Sequence, residues 1–119
     1  MATTIINLPQ DSKWVEYTGS ADNDRVYTGT IYVRTIDHMV TVACYRITLK
    51  TAMTGSSLPL LSAGTMPKPN SVVWATAGNA TDTASVTVGT TGMLTFYKPS
   101  DKSSWGTGEY ISFTLTYMV

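Results

Sequence analysis

The closing decapeptide, Tyr110-Ile111-Ser112-Phe113-Thr114-Leu115-Thr116-Tyr117-Met118-Val119, constrains the fold more than any other part of the chain. Ile111, Phe113, Leu115, Tyr117 and Val119 fall on one side of an extended backbone, and Tyr110, Ser112, Thr114, Thr116 and Met118 on the other. A period of two held over this length suits a β-strand with one face in a core, and no helix satisfies it. A chain ending inside a sheet suggests a compact terminal module, joined to its surroundings at the other end.

Short extended runs separated by turn residues recur upstream. Residues 1–13 form a lead-in segment. Trp14 to Thr18 reads as a short strand, and Ser20-Ala21-Asp22-Asn23-Asp24 as a turn. Val26 to Arg34 reads as the next strand, bulged at Gly29. Thr35-Ile36-Asp37-His38 forms a tight connection into Met39 to Leu49, which makes a hairpin. Thr51 to Asn70 is the longest irregular stretch, tied down by its own leucines and Met66, with a short strand around Leu58 to Leu61. Ser71 to Ala77 and Thr83 to Val88 are strands, with Ala84, Val86 and Val88 facing inward. Gly78-Asn79 reads as a turn, and Gly89-Thr90-Thr91-Gly92 turns the chain into Met93 to Tyr97. No segment holds a helical period. At 119 residues the chain is one domain. The expected class is all-β, an antiparallel jelly-roll-like β-sandwich of about eight short strands.

The strand Met39 to Leu49 changes phase. Val40, Val42 and Cys44 share one face, whereas Tyr45, Ile47 and Leu49 share the other. Such a strand is central in a two-layer structure, bulged near Tyr45-Arg46, or covered on its second face by another subunit.

Composition narrows the function. Eight acidic and eight basic side chains cancel, and 13% of residues are charged. The basic surplus of a nucleic-acid binder is missing. Thr and Ser supply roughly a quarter of the chain, so the surface can meet a neutral polar partner with little ion desolvation. Cys44 is the single cysteine and reads as a buried small hydrophobe. There is no apolar run long enough for a membrane helix, and no signal-peptide pattern at the N-terminus.

Catalytic chemistry has few candidates. His38 is the single histidine and sits in a turn. One His and one Cys cannot complete a zinc site. The acids lie in turns or at strand ends, where solvation explains them more simply than a paired-carboxylate cleft. Asp22, Asn23 and Asp24 could cluster oxygens for calcium, but Asx turn chemistry explains the same residues. The expectation is therefore a non-enzymatic protein with no cofactor and no metal.

Aromatic residues are the alternative to catalysis. Trp14 and Trp74, in strand segments, read as core or interface. Trp105 lies in Ser103-Ser104-Trp105-Gly106-Thr107-Gly108, among small residues that cannot bury it locally. A ring displayed there could stack on a sugar, with Asp101, Lys102, Glu109 and Tyr110 supplying hydrogen bonds. The competing reading folds Trp105 back onto the domain or into a neighbouring subunit.

Four segments stand in order. Ile31-Tyr32-Val33-Arg34-Thr35-Ile36-Asp37-His38-Met39-Val40-Thr41-Val42 is a Tyr-x-Arg hairpin. Leu58-Pro59 followed by Met66-Pro67-Lys68-Pro69, a second hairpin from Val86-Thr87-Val88 through Gly92-Met93-Leu94-Thr95, and the closing strand Tyr110 to Tyr117 come after it. Together they resemble the head domains of phage tail-fibre and baseplate receptor-binding proteins, although that pattern usually has a glycine where Ile36-Asp37-His38 stands. The resemblance spans about Tyr27 to Val119. It implies a homotrimeric head at the tip of a virion tail, assembled in the host cytoplasm. It would bind host cell-surface saccharide and meet other tail or baseplate proteins through its N-terminal side, with no nucleic acid and no membrane insertion. The alternatives are a structural trimeric virion cap or adaptor without a ligand, and a carbohydrate-binding module detached from a bacterial enzyme.

Overall fold

A computed structural model of the protein describes residues 10–17, 27–49, 53–54, 57–59, 66–79, 83–98 and 104–119. The described residues are all-β and antiparallel, with no helix. The strands are β1 (Val15–Tyr17), β2 (Tyr27–Thr28), β3 (Ile31–Ile36), β4 (Met39–Leu49), β5 (Met53–Thr54), β6 (Ser57–Pro59), β7 (Val73–Asn79), β8 (Thr83–Val88), β9 (Leu94–Tyr97), β10 (Ser104–Trp105) and β11 (Tyr110–Met118). Hydrogen bonding runs through β1-β3-β4-β11-β7-β8-β9-β6, with β2 paired to β4, while β10 and β5 form a separate pair. The turn at 20–24 and the calcium reading placed there lie outside the described residues. Gly78 and Asn79, expected in a turn, instead extend β7, paired with Thr83 of β8 and with β11.

The main sheet curls into a half-barrel. In a flat sheet, β11 and β9 would stand three strand spacings apart, ~14 Å. Yet the rings of Phe113 on β11 and Phe96 on β9 meet edge to face with centroids 5.2 Å apart. The concave side therefore closes on itself. Ile31, Val33, Val42, Val86, Leu94, Phe96, Ile111 and Leu115 fill it as one cluster. Residues 66–69 bridge the two limbs: the Tyr117 hydroxyl donates to the Pro67 carbonyl at 2.7 Å, and Met66 is buried with its N–H on the Gly92 carbonyl.

The bulge resolves the phase change in β4. Ile111 pairs with Ile47 and Phe113 with Cys44, so β4 has one residue more than its neighbour between these pairs. The β2–β3 side shows the same excess: Thr28 opposes Thr48 and Ile31 opposes Cys44. Arg46 takes a positive φ of 58° and its N–H donates to Ser112 Oγ at 2.8 Å. The extra residue returns Ile47 and Leu49 to the face of Val40, Val42 and Cys44. Both are at most 2% exposed, covered by their own chain. A partner subunit is thus not needed to explain this strand. Gly29 faces the bulge with φ at 116°, and a Cβ there would meet the Ile47 side chain at 3.0 Å, so only glycine fits.

The first hairpin turns at Asp37-His38. Asp37 supplies the positive φ, 54°, in place of glycine, as its short polar side chain allows. The same Asp37 accepts the Gln10 N–H on Oδ1 at 2.9 Å and so holds the lead-in segment.

Candidate functional site

The segment expected to display a ligand-binding ring is folded inward. Trp105 pairs with Met53 in the small sheet and is 0% exposed, part of the central cluster. Its small-residue surroundings are held by the main chain. Gly108 N–H donates to the Leu49 carbonyl and Leu49 N–H to the Glu109 carbonyl, both at 2.9 Å. This pairing with the end of β4 draws the loop over the sheet and takes the indole with it. The expectation that the loop leaves Trp105 displayed is therefore corrected: local sequence cannot bury the ring, but a distant strand end does.

Lys98 completes this interior cluster. Its Nζ lies 2.7 Å from Glu109 Oε1 and 5.0 Å from the Trp105 ring centroid. The Lys98 side chain is 6% exposed, so carboxylate and indole face replace the water its charge has lost. Tyr110 lies on the other face of the sheet, its ring under the Arg46 guanidinium at 4.1 Å. Asp101 and Lys102 lie outside the described residues. Trp105 and Glu109 thus come together around Lys98, as packing, and Tyr110 is not part of that group.

Other titratable groups are also committed. Asp11 takes a two-point contact from Arg34, Nη2 to Oδ2 at 2.7 Å and Nε to Oδ1 at 3.1 Å. The Arg34 hydrogen bonds first, and the Lys13 amide second, hold the Asp11 carboxyl well below the usual carboxylate range. Cys44 is buried, and that burial pushes its thiol up to about 12, leaving no nucleophilic thiolate near neutral pH. His38 is exposed in its turn. Among the described residues, no three His, Cys, Asp or Glu side chains gather as a metal site.

Among the described residues, the solvent-facing Tyr32, Tyr45 and Trp74 lie on the convex side. A cup of about 540 Å³ opens over β3, β4 and β11, lined by Tyr32, Ala43, Tyr45, Ser112 and Thr114, with Cys44 and Phe113 beneath. Its geometry follows from register. Ala43 sits opposite both Tyr32 and Thr114, so the smallest side chain makes the floor. The adjoining bulge presents Tyr45, 78% exposed. Across the sheet, Trp74 is 66% exposed, correcting the core part of its core-or-interface reading, and Trp14 is also exposed. The cup's sequence signal was two tyrosines on the polar face of a hairpin around one alanine, but only the register made them neighbours.

No protein-family model and no curated protein matches this chain.

Proposed function

We propose that this protein is a non-enzymatic recognition head of the phage tail-fibre or baseplate kind, binding host cell-surface saccharide at a virion tail tip. The observation that carries the reading is the cup over Ala43. Two tyrosines wall it, Ser112 and Thr114 bring hydroxyls, and no charged side chain among the described residues lines it. Its volume is that of a small-ligand site, on the order of 300–1,000 Å³. Aromatic rings meet the C–H face of a sugar, and hydroxyls meet its polar edge. The core is filled without Tyr32 and Tyr45, so both are available to a ligand. The ordered motifs from Ile31 to Tyr117 support the phage assignment.

In this reading the two limbs of the curled sheet serve as the layers of a sandwich, and the working unit is a homotrimer. Three weak sites on one tip raise avidity without any new contact. The N-terminal side, where Gln10 and Asp11 are anchored to the first hairpin, faces the rest of the tail.

A glycan array followed by NMR titration of the best ligand tests the site. The expected result is perturbation of Tyr32, Tyr45 and Thr114 resonances and loss of binding in Tyr45→Ala. Glycan binding that Tyr45→Ala leaves intact sinks the cup assignment.

A further inference from the structure

We infer that the cup over Ala43 prefers an acidic sugar, a uronate or sialate, whose carboxylate meets the Arg46 guanidinium at the rim. The inference rests on the cup being the saccharide site and adds the charge class of its ligand.

The bulge places Arg46. Tyr45 and Arg46 are the two residues between Cys44 and Ile47, which both face the core, so the extra residue leaves both exposed. Tyr45 walls the cup. Arg46 is tied to it through Ser112, whose hydroxyl accepts the Arg46 N–H at 2.8 Å and itself lines the cup. The guanidinium then lies over the Tyr110 ring, 4.1 Å from its centroid. Tyr110 and Ser112 are two residues apart on β11, ~7 Å, and share a face. The charge therefore stands beside the wall that Ser112 makes, within reach of the carboxylate of a sugar seated on Tyr45.

Two observations mark this arginine. The first is its backbone. Its φ is 58°, a left-handed conformation that glycine or asparagine adopts at lower cost. Strain of this kind gathers at ligand sites, and a bulge there re-aims a side chain. The second is its lack of a counter-ion. Arg34 is neutralised by Asp11 and Lys98 by Glu109, whereas the Arg46 guanidinium has no carboxylate within 4 Å among the described residues. The Tyr110 face holds it flat without using its N–H donors, and that planar fork matches a carboxylate at two points.

The other charges around the cup orient the ligand. Glu16, exposed on the edge strand β1, stands opposite Tyr32 on the far side. An acid turned that way meets like charge, and one turned toward Ser112 meets Arg46. Arg34 opposes Thr41 in the next row, but its charge is committed to Asp11. Gly78, opposite Ser112 on β7, puts no side chain against that wall. A neutral sugar keeps the ring and hydroxyl contacts and gains nothing from Arg46.

The test is ¹H–¹⁵N NMR titration of the intact chain with methyl β-glucuronide, methyl β-glucopyranoside and methyl β-glucosaminide, which share one ring and differ in charge. The expected result is glucuronide binding that shifts Tyr45, Ser112, Thr114 and the Arg46 side-chain N–H, at least several-fold tighter than the other two. At ~1 M salt, where the screening length falls to about 3 Å, that preference should fade. Arg46→Asn removes the cation and suits the left-handed backbone. It should unfold at no lower urea concentration than the parent and lose the preference. Arg46→Lys keeps the charge without the planar fork and should retain part of it. A preference intact in Arg46→Asn would overturn the role of Arg46. Equal glucopyranoside binding at the same residues would overturn the charge class and leave the cup standing. Tighter glucosaminide binding would overturn it in favour of Glu16 and Tyr32, again with the cup intact. Glucuronide shifts confined to residues away from the cup would overturn the inference and the cup together. No response to the glucuronide would overturn the inference alone, because Tyr45→Ala against the best array glycan decides the cup.

Discussion

Trp105 and Trp74 have the same side chain and opposite fates. Trp105 is sealed among Lys98, Glu109 and the core, so truncating it leaves a large cavity and an amino group stripped of its aromatic neighbour. Trp105→Ala should cost about 3–5 kcal/mol in urea unfolding, the usual range for emptying a buried aromatic site. Trp74 stands largely in solvent, and Trp74→Ala should stay within about 0.5 kcal/mol of the parent. Equal losses in the two variants would contradict the burial contrast. Trp105 belongs to stability, and any ligand contact belongs to residues whose removal leaves the fold standing.

Among the elements, β4 carries its bulge because Cys44 and Ile47, three residues apart, must share a face. Deleting Tyr45 would bring them two apart, so that regular alternation alone keeps Ile47 and Leu49 on the concave face. The deletion variant should therefore retain a cooperative unfolding transition, as should Tyr45→Ala. Loss of that transition in the deletion variant alone would show that the bulge itself, with its Arg46–Ser112 contact, holds the strand. The lead-in segment has its own switch, the Asp11–Arg34 contact. The Asp11 carboxyl lies lower in the folded chain than its unfolded value of about 3.9. Its contribution is therefore present above about pH 4 and is lost as pH falls below that toward the depressed folded value. Amide resonances of Ser12 and Lys13 should hold steady down to about pH 4 and move only in stronger acid. An Asp11 carboxyl titrating at its ordinary value would show that the contact does not persist in solution.

For the whole molecule, the central question is what covers the convex face. Tyr32, Tyr45, Met39 and Met118 project from β3, β4 and β11. Met39 and Met118 are direct cross-strand partners at the end where the first hairpin turns. In the proposed homotrimer, light scattering should return three times the chain mass, and Met118→Lys should lower it if copies meet at the Met39–Met118 end of this face. A monomer across the accessible concentration range would remove the trimer and, with it, the avidity argument for a weak saccharide site. The buried Ile47 and Leu49 offer the trimer no support, because the bulge already satisfies them.

Local sequence determined the strands. The closing decapeptide, Met39 to Leu49 and Thr83 to Val88 were legible because alternation is written residue by residue and alanine, valine and phenylalanine must leave water. The bulge was legible as one of three readings, since a phase change marks an extra residue but does not say what covers it. Asp37 in the hairpin turn was harder to read, because a residue other than glycine must supply the positive φ there. Tertiary structure alone decided the rest. Trp105 is interior because the end of β4 captures the backbone of its loop, a contact between positions 108 and 49 that no local window contains. The cup exists because register brings Tyr32 beside Ala43 and curvature sets which face points outward. Alternation along one strand depends on neighbours in sequence, whereas a site depends on neighbours across strands, and those are fixed only when the sheet has closed on its core.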